Sequence, residues 1–293
     1  MSINVSFINM KGGVGKTTLA MQVAFGAQAA GLRVLAVDLD PQSNLSQALL
    51  GTELYRKGVI DQNRPTVIQL FEGYLPATQT RPGPSTVSVE DAIMKPLSEK
   101  FPHLVPSRLQ LCHTIRNPGG KERRLAEAVA KVQDRYDIVI IDCAPTDSML
   151  TDAAYFASRY VVVPVKPEYL AAIGIPLLAR SLKGFKQANQ DHTIDIAGIV
   201  FVHSSDYSVS PEGRESIAEV SKTAKEEGWR VFTKEIPYSR SVAKSAREGR
   251  PIGWTRRARP KVVTAFSAFT NELFGAVGIG ERLPEAAEPF AEF

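Results

Sequence analysis

Apolar residues along the chain follow two patterns. In the first they form short, nearly unbroken runs at 3–8, 33–37, 137–141, 160–165, 196–202 and 230–232. Consecutive β-branched positions, as in "DIVII" and "YVVVPV", suit strands covered on both faces, the situation of a parallel sheet between layers of helices. In the second pattern apolar positions recur with helical spacing, at 16–30 (closing at Gly31), 120–133, 148–158, 211–227 and 259–274. The two alternate as βαβα, which predicts an α/β fold with a doubly wound, mostly parallel sheet and helices on both faces. Residues 1–276 are expected to form one domain. The stretch 51–100, where "PATQTRPGPST" brings in three prolines and a glycine, reads as a variable surface excursion within it.

The first predicted strand runs into "INMKGGVGKTT" and then into a predicted helix. That strand, loop and helix are the setting a phosphate loop requires. Gly12, Gly13 and Gly15, with Val14 between them, let backbone N–H groups turn inward on phosphate oxygens, and the helix N-terminus adds a favourable dipole. Lys16 would reach the β- and γ-phosphates and the Thr17 hydroxyl would meet Mg²⁺, with Thr18 beside it. The loop departs from G-x-x-x-x-G-K-[ST] at its first position, where the glycine is replaced by Met10 and followed by Lys11.

A lysine two places after the strand end, in "KGGVGKTT", resembles the deviant phosphate loop of the ParA/MinD family of ATPases, and of its Soj-like ParA branch in particular. The resemblance implies a P-loop NTPase fold that hydrolyses ATP to ADP with Mg²⁺, slowly without an activator. It also implies a homodimer in the ATP state, in which Lys11 crosses the interface to the phosphates of the other subunit. A cation supplied in trans offsets the charge of two nucleotides facing each other. Three more stretches are similar to the family. "VLAVDLDPQSN" (34–44) resembles its first switch, with Asp40 as candidate to position the attacking water and Asp38 as candidate for the Mg²⁺ shell. "YDIVIIDCAPT" (136–146) resembles its Walker B strand, with Asp142 as the second metal candidate. A bare carboxylate ending an apolar strand is costly unless it orders the water around a metal ion. "IPYSRSVAKSAREGRPI" (236–252) resembles the segment beside the adenine and supplies Pro237 and Ser239 as cofactor-binding candidates, although Lys244 stands where the family has an acid.

Charge adds a candidate partner. Between 240 and 261 eight basic residues (Arg240, Lys244, Arg247, Arg250, Arg256, Arg257, Arg259 and Lys261) meet one acid, Glu248. Such a cluster neutralises phosphates without reading bases, so nonspecific double-stranded DNA is the expected partner. The resemblance then implies partition of plasmid or chromosome DNA with a ParB-like centromere-binding activator. An orphan relative that positions a protein cargo on the nucleoid would carry the same chemistry. The expected location is cytoplasmic and nucleoid-associated, with no membrane partner: no run approaches the roughly 18 apolar residues of a span. The last residues, "ERLPEAAEPFAEF", read with the rest of 277–293 as an acidic, flexible tail, unlike the basic amphipathic helix of a membrane-bound relative. Cys112 and Cys143 have neither the number nor the spacing for a disulfide framework and are expected as reduced structural thiols.

Overall fold

Six strands lie side by side in one sheet: β1 Ile3–Phe7, β2 Val34–Leu39, β3 His103–Val105, β4 Ile138–Cys143, β5 Tyr160–Val165 and β6 Asp195–Phe201. Their order is β3-β2-β4-β1-β5-β6, and every pairing is parallel. This is the doubly wound parallel sheet that the alternating pattern predicts. The computed structural model describes residues 1–75, 85–95, 98, 100–117, 119–168, 171–203, 210–280 and 283.

Alternation along each strand feeds two core layers. Leu35, Val37, Val139, Ile141, Val161, Val163, Ile199 and Phe201 face one. Val5, Phe7, Val34, Ala36, Ile138, Ile140, Val162 and Val200 face the other. The second layer is closed by helices α1 (Lys16–Ala29) and α2 (Asn44–Leu50) and by the long C-terminal helix at Pro260–Ala276. Helix α1 is buried around most of its circumference, from Leu19 to Ala27, so the helix that carries the phosphate loop is itself a core element. The first layer is closed by α3 (Val67–Glu72), α4 (Arg124–Ala130), α5 (Met149–Ala157), α6 (Ala171–Ala188) and α7 (Pro211–Glu226). The C-terminal helix is labelled α9, because α8 (Arg240–Glu248) precedes it.

Three expectations are corrected and one helix is added. The stretch 51–100 is not merely a surface excursion: Val59, Val67, Phe71 and Ala92 are fully buried and Val89 nearly so, which places part of it in the first core layer. Its "PATQTRPG" portion (76–83) lies outside the described residues. The tail begins later than 277, because Val277 and Ile279 are buried in the second layer; residues 281, 282 and 284–293 lie outside the described residues. The run at 230–232 is not a strand. It touches the sheet edge through one bridge, Ile199 to Val231, followed by a second from Val202 to Ile236. Helix α6 was not foreseen, because Gly174, Pro176 and Gly184 argue against a helix. Its buried positions Ile175, Leu178, Leu182 and Phe185 nevertheless keep helical spacing.

Cys143 is buried and unbonded to another cysteine, and Cys112 is a half-buried free thiol. Burial pushes the Cys143 thiol well above its ordinary range, which keeps it protonated and inert. Among the described residues no helix is long and apolar enough to cross a membrane.

The close fit at the β6 edge has a measurable consequence. A Cβ at Gly198 would lie 2.7 Å from Cε2 of Phe232, whose ring is buried and packs edge-on against Phe269. Gly198→Ala is expected to lower stability by about 2 kcal/mol through overpacking, read as a lower urea midpoint with an unchanged slope.

Candidate nucleotide site and basic surface

Parallel register assembles the site at the carboxyl ends of the central strands, where ligands of open α/β sheets bind. Phe7 of β1 and Asp38 of β2 both pair with Asp142 of β4. Two carboxylates and the start of the phosphate loop therefore share one line. Gly13 (φ 70°) and Gly15 (φ 94°) adopt left-handed conformations. A side chain at Gly15 would also press on Val202 Cγ1, 3.1 Å away. The tight turn from β1 into α1 thus requires glycine there for both backbone and contact reasons.

The loop is pinned by a residue the sequence reading missed. Asn9 Nδ2 donates to the Pro164 carbonyl (2.7 Å) and Asn9 Oδ1 accepts from the Lys11 amide (2.9 Å), tying the loop to β5. Lys16 is buried, and its Nζ donates to the carbonyls of Asn9 (3.0 Å) and Lys11 (3.1 Å). Burial lowers its pKa, with Asp142 foremost among the groups that oppose the shift. Lys11 projects the other way: its Nζ pairs with Glu168 Oε2 at 2.6 Å, and this bond holds the Glu168 carboxyl below its usual range.

The two strand-end carboxylates differ in what satisfies them. Asp38 is fully buried and accepts from the Ser46 amide (2.8 Å), the Ser46 hydroxyl (2.6 Å) and the Asp40 amide (3.2 Å). Burial still pushes its pKa up to about 7. Both its oxygens accept from protein donors, which ties Asp38 to the turn of the first switch. Asp142 is equally buried, yet neither carboxylate oxygen receives a hydrogen bond. Burial and then the neighbouring Asp38 raise its pKa well above the ordinary value, and Thr17 and Lys16 offset this only in part. An orphaned buried carboxylate beside the Thr17 hydroxyl fits a divalent cation. Mg²⁺ sites commonly use one or two carboxylates together with phosphates. Asp40 is nearly buried, with Oδ1 accepting from the Gln42 amide at 2.8 Å.

The 236–252 segment closes the site. Ile236 bridges to Val202, the residue that abuts Gly15, so Pro237 directly follows the residue paired with a neighbour of the loop. The Ser239 hydroxyl caps α8 by accepting from the Ser241 amide (3.1 Å). Helix α8 is held to α1 by Gln22, which is fully buried: its Nε2 donates to Ser245 Oγ (2.8 Å) and its Oε1 accepts from the Ile252 amide (2.9 Å). Nothing in the sequence signals Gln22, a polar residue inside an apolar helix. A cleft of about 330 Å³ opens between α1, α2 and α8, with Thr17, Thr18, Asn44, Gln47, Ala246 and Arg247 among its lining residues.

The eight basic residues do not share one environment. Arg240, Arg250, Arg256, Arg257, Arg259 and Lys261 are exposed. Lys244 is half-buried, donates to the Arg256 carbonyl (3.2 Å) and pairs with Glu248 (3.7 Å). Arg247 lines the cleft.

A glycine turn on a parallel sheet, with a buried lysine at its centre and an orphaned carboxylate opposite, defines a P-loop nucleotide-binding protein. Residues 2–196 match the family described as AAA domain, AAA_31, and the chain belongs to that family, within the ParA/MinD group of ATPases. It is 29% identical to the sporulation initiation inhibitor protein Soj of Bacillus subtilis, over 85% of this chain and 89% of that protein. Apo McdA of Cyanothece superposes with a TM-score of 0.76 at 20% identity, covering 93% of this chain and all of that one; this likeness is one of fold. The cobyrinic acid a,c-diamide synthase of Mycobacterium smegmatis, solved with an ATP analogue and magnesium, is 26% identical with a TM-score of 0.66, over 85% of this chain and 92% of that one.

The raised carboxyl pKa values fix a pH dependence. A carboxyl whose folded pKa lies above its unfolded value of 3.8 favours the folded state at low pH, and that contribution is lost as pH rises through the folded pKa. The nucleotide-free protein should therefore lose stability between about pH 4 and pH 7 from Asp38, with Asp142 adding loss above pH 4. Asp142→Asn is expected to raise the melting temperature at pH 8 and to leave it near the parent value at pH 4, as scanning calorimetry across that range would show.

Proposed function

We propose that this chain is an ATPase that dimerises when it binds ATP, holds nonspecific double-stranded DNA in that state, and drives partition of plasmid or chromosome DNA with a ParB-like activator. The observation that carries the reading is the pair of lysines on one glycine turn, Lys16 buried at its centre and Lys11 directed out of it. Lys16 exchanges the loop carbonyls for the β- and γ-phosphates. Lys11 exchanges Glu168 for the phosphates of a second copy. Its ion pair is 28% and 43% exposed on the two sides, and such a pair contributes about 1 kcal/mol or less, a small cost against a phosphate contact in a closed interface.

Thr17 and Asp142 would hold Mg²⁺, which when bound neutralises charge on the phosphates. Asp40 orients the attacking water, held for that by the turn that Asp38 and Ser46 stabilise. Adenine lies by Pro237. The DNA surface is formed by Arg240, Arg250, Arg256, Arg257, Arg259 and Lys261, all exposed. Likeness over most of both chains to Soj proteins, among them the chromosome-partitioning ATPase Soj of Treponema pallidum, supports the partition role. With about four phosphate contacts per protomer, log affinity should fall with log salt at a slope of roughly −3.6, and a dimer would steepen it. Too few contacts in a monomer would make DNA binding follow dimerisation.

Fluorescence anisotropy of a random-sequence duplex, with Mg²⁺ and either ATP or ADP at two salt concentrations, tests the reading. Tight, salt-sensitive binding with ATP alone is expected, and it should vanish in Lys11→Ala, whose scattering mass in ATP stays that of a monomer. Binding indifferent to nucleotide would refute the gating and move weight to a protein cargo. Arg256→Glu with Arg257→Glu should weaken DNA binding and leave ATP affinity unchanged. Asp40→Ala should form the ATP dimer and release no phosphate; a normal turnover rate would remove Asp40 from the reaction.

A further inference from the structure

Arg247 is separated from the other basic residues by where its helix places it. We infer that Arg247 is a nucleotide-binding residue, its guanidinium taking a phosphate oxygen of the nucleotide seated on the phosphate loop, and that it is not part of the DNA surface. This inference rests on the nucleotide reading of the loop.

The cleft that Arg247 lines begins at Thr17 and Thr18, in the first turn of α1. Unpaired backbone N–H groups and the helix dipole make that turn attractive to anions. Its volume, about 330 Å³, lies within the range of small-molecule sites. The side chains around it are uncharged except for Arg247. Arg247 is exposed, and no hydrogen bond or ion pair engages it among the described residues. The guanidinium is free to turn into the cleft, and its planar donors match a phosphate group.

The backbone that carries Arg247 is fixed. Ser245, two residues earlier, receives the Gln22 amide and donates to the Arg250 carbonyl. Two residues later Gly249 (φ 61°) sits so close to the end of α2 that a side chain there would lie 3.2 Å from the Ala48 carbonyl. Only side-chain rotation is left to be ordered when a nucleotide arrives. Lys244, about one turn earlier on this helix, is engaged by the Arg256 carbonyl and Glu248.

Calorimetric titration of ATP and ADP with Mg²⁺, in the absence of DNA, tests the inference on Arg247→Ala, Arg247→Lys and Lys16→Ala. Arg247→Ala should weaken both nucleotides about tenfold, the size of one charge-assisted hydrogen bond. Arg247→Lys should recover part of the loss. Thermal unfolding without nucleotide should match the parent protein, and DNA affinity at saturating ATP should be unchanged. If Lys16→Ala loses ATP while Arg247→Ala keeps parental affinity, the inference is overturned and the nucleotide reading stands. If Lys16→Ala also keeps ATP, both fall. Weaker DNA binding by Arg247→Ala at saturating nucleotide, with ATP affinity intact, would return Arg247 to the DNA surface.

Discussion

The structure turns on two carboxylates buried at the ends of adjacent parallel strands. Because β4 lies between β1 and β2, Asp142 is level with both Phe7 and Asp38, and no water-facing position is open to either acid. Burying a carboxylate without compensation costs several kcal/mol, so each needs a partner. Asp38 finds one in Ser46 and the Asp40 amide and thereby shapes the turn that presents Asp40. Asp142 is left without one. The asymmetry is one of satisfaction: Asp38 is hydrogen-bonded within the fold, and Asp142 is not.

That demand explains the loop opposite. Lys16 is drawn into the turn, where burial disfavours its charge and Asp142 favours it. The glycines allow the chain to wrap around the ammonium, and Asn9 keeps the loop attached to β5. The arrangement is preorganised for phosphate, since a γ-phosphate and a divalent cation would satisfy Lys16 and Asp142 together.

Helix α1 carries this electrostatic centre to the periphery. It is buried on nearly all sides, so any element packed on it is positioned by it. Gln22 bonds to Ser245 and Ile252 and seats α8 on α1, and Gly249 seats the end of α8 on α2. The basic segment is therefore built onto the same two helices that follow the phosphate loop and the first switch. The two places belong to one packed unit, so coupling between ligands bound there would be reciprocal.

Much of this was legible beforehand for a physical reason: the features concerned are local. Strands buried on both faces show as unbroken apolar runs, and a glycine-rich turn with a lysine at fixed spacing is a local pattern, so five of the six strands and the loop between β1 and α1 could be read directly. The three-residue β3 is too short to leave a pattern, and Pro176 concealed α6. The burial of Val59, Val67, Phe71, Val89 and Ala92 could not be read because proline-rich neighbours dominate the composition of that stretch. What only the tertiary structure decided are relations between distant residues: Asn9 with Pro164, Lys11 with Glu168, Gln22 with Ser245, and the different fates of Asp38 and Asp142. Each depends on which groups remain unsatisfied after the sheet has assembled. A linear pattern records what a residue is; whether its charge or hydrogen bond finds a partner is settled only when the chain has folded around it.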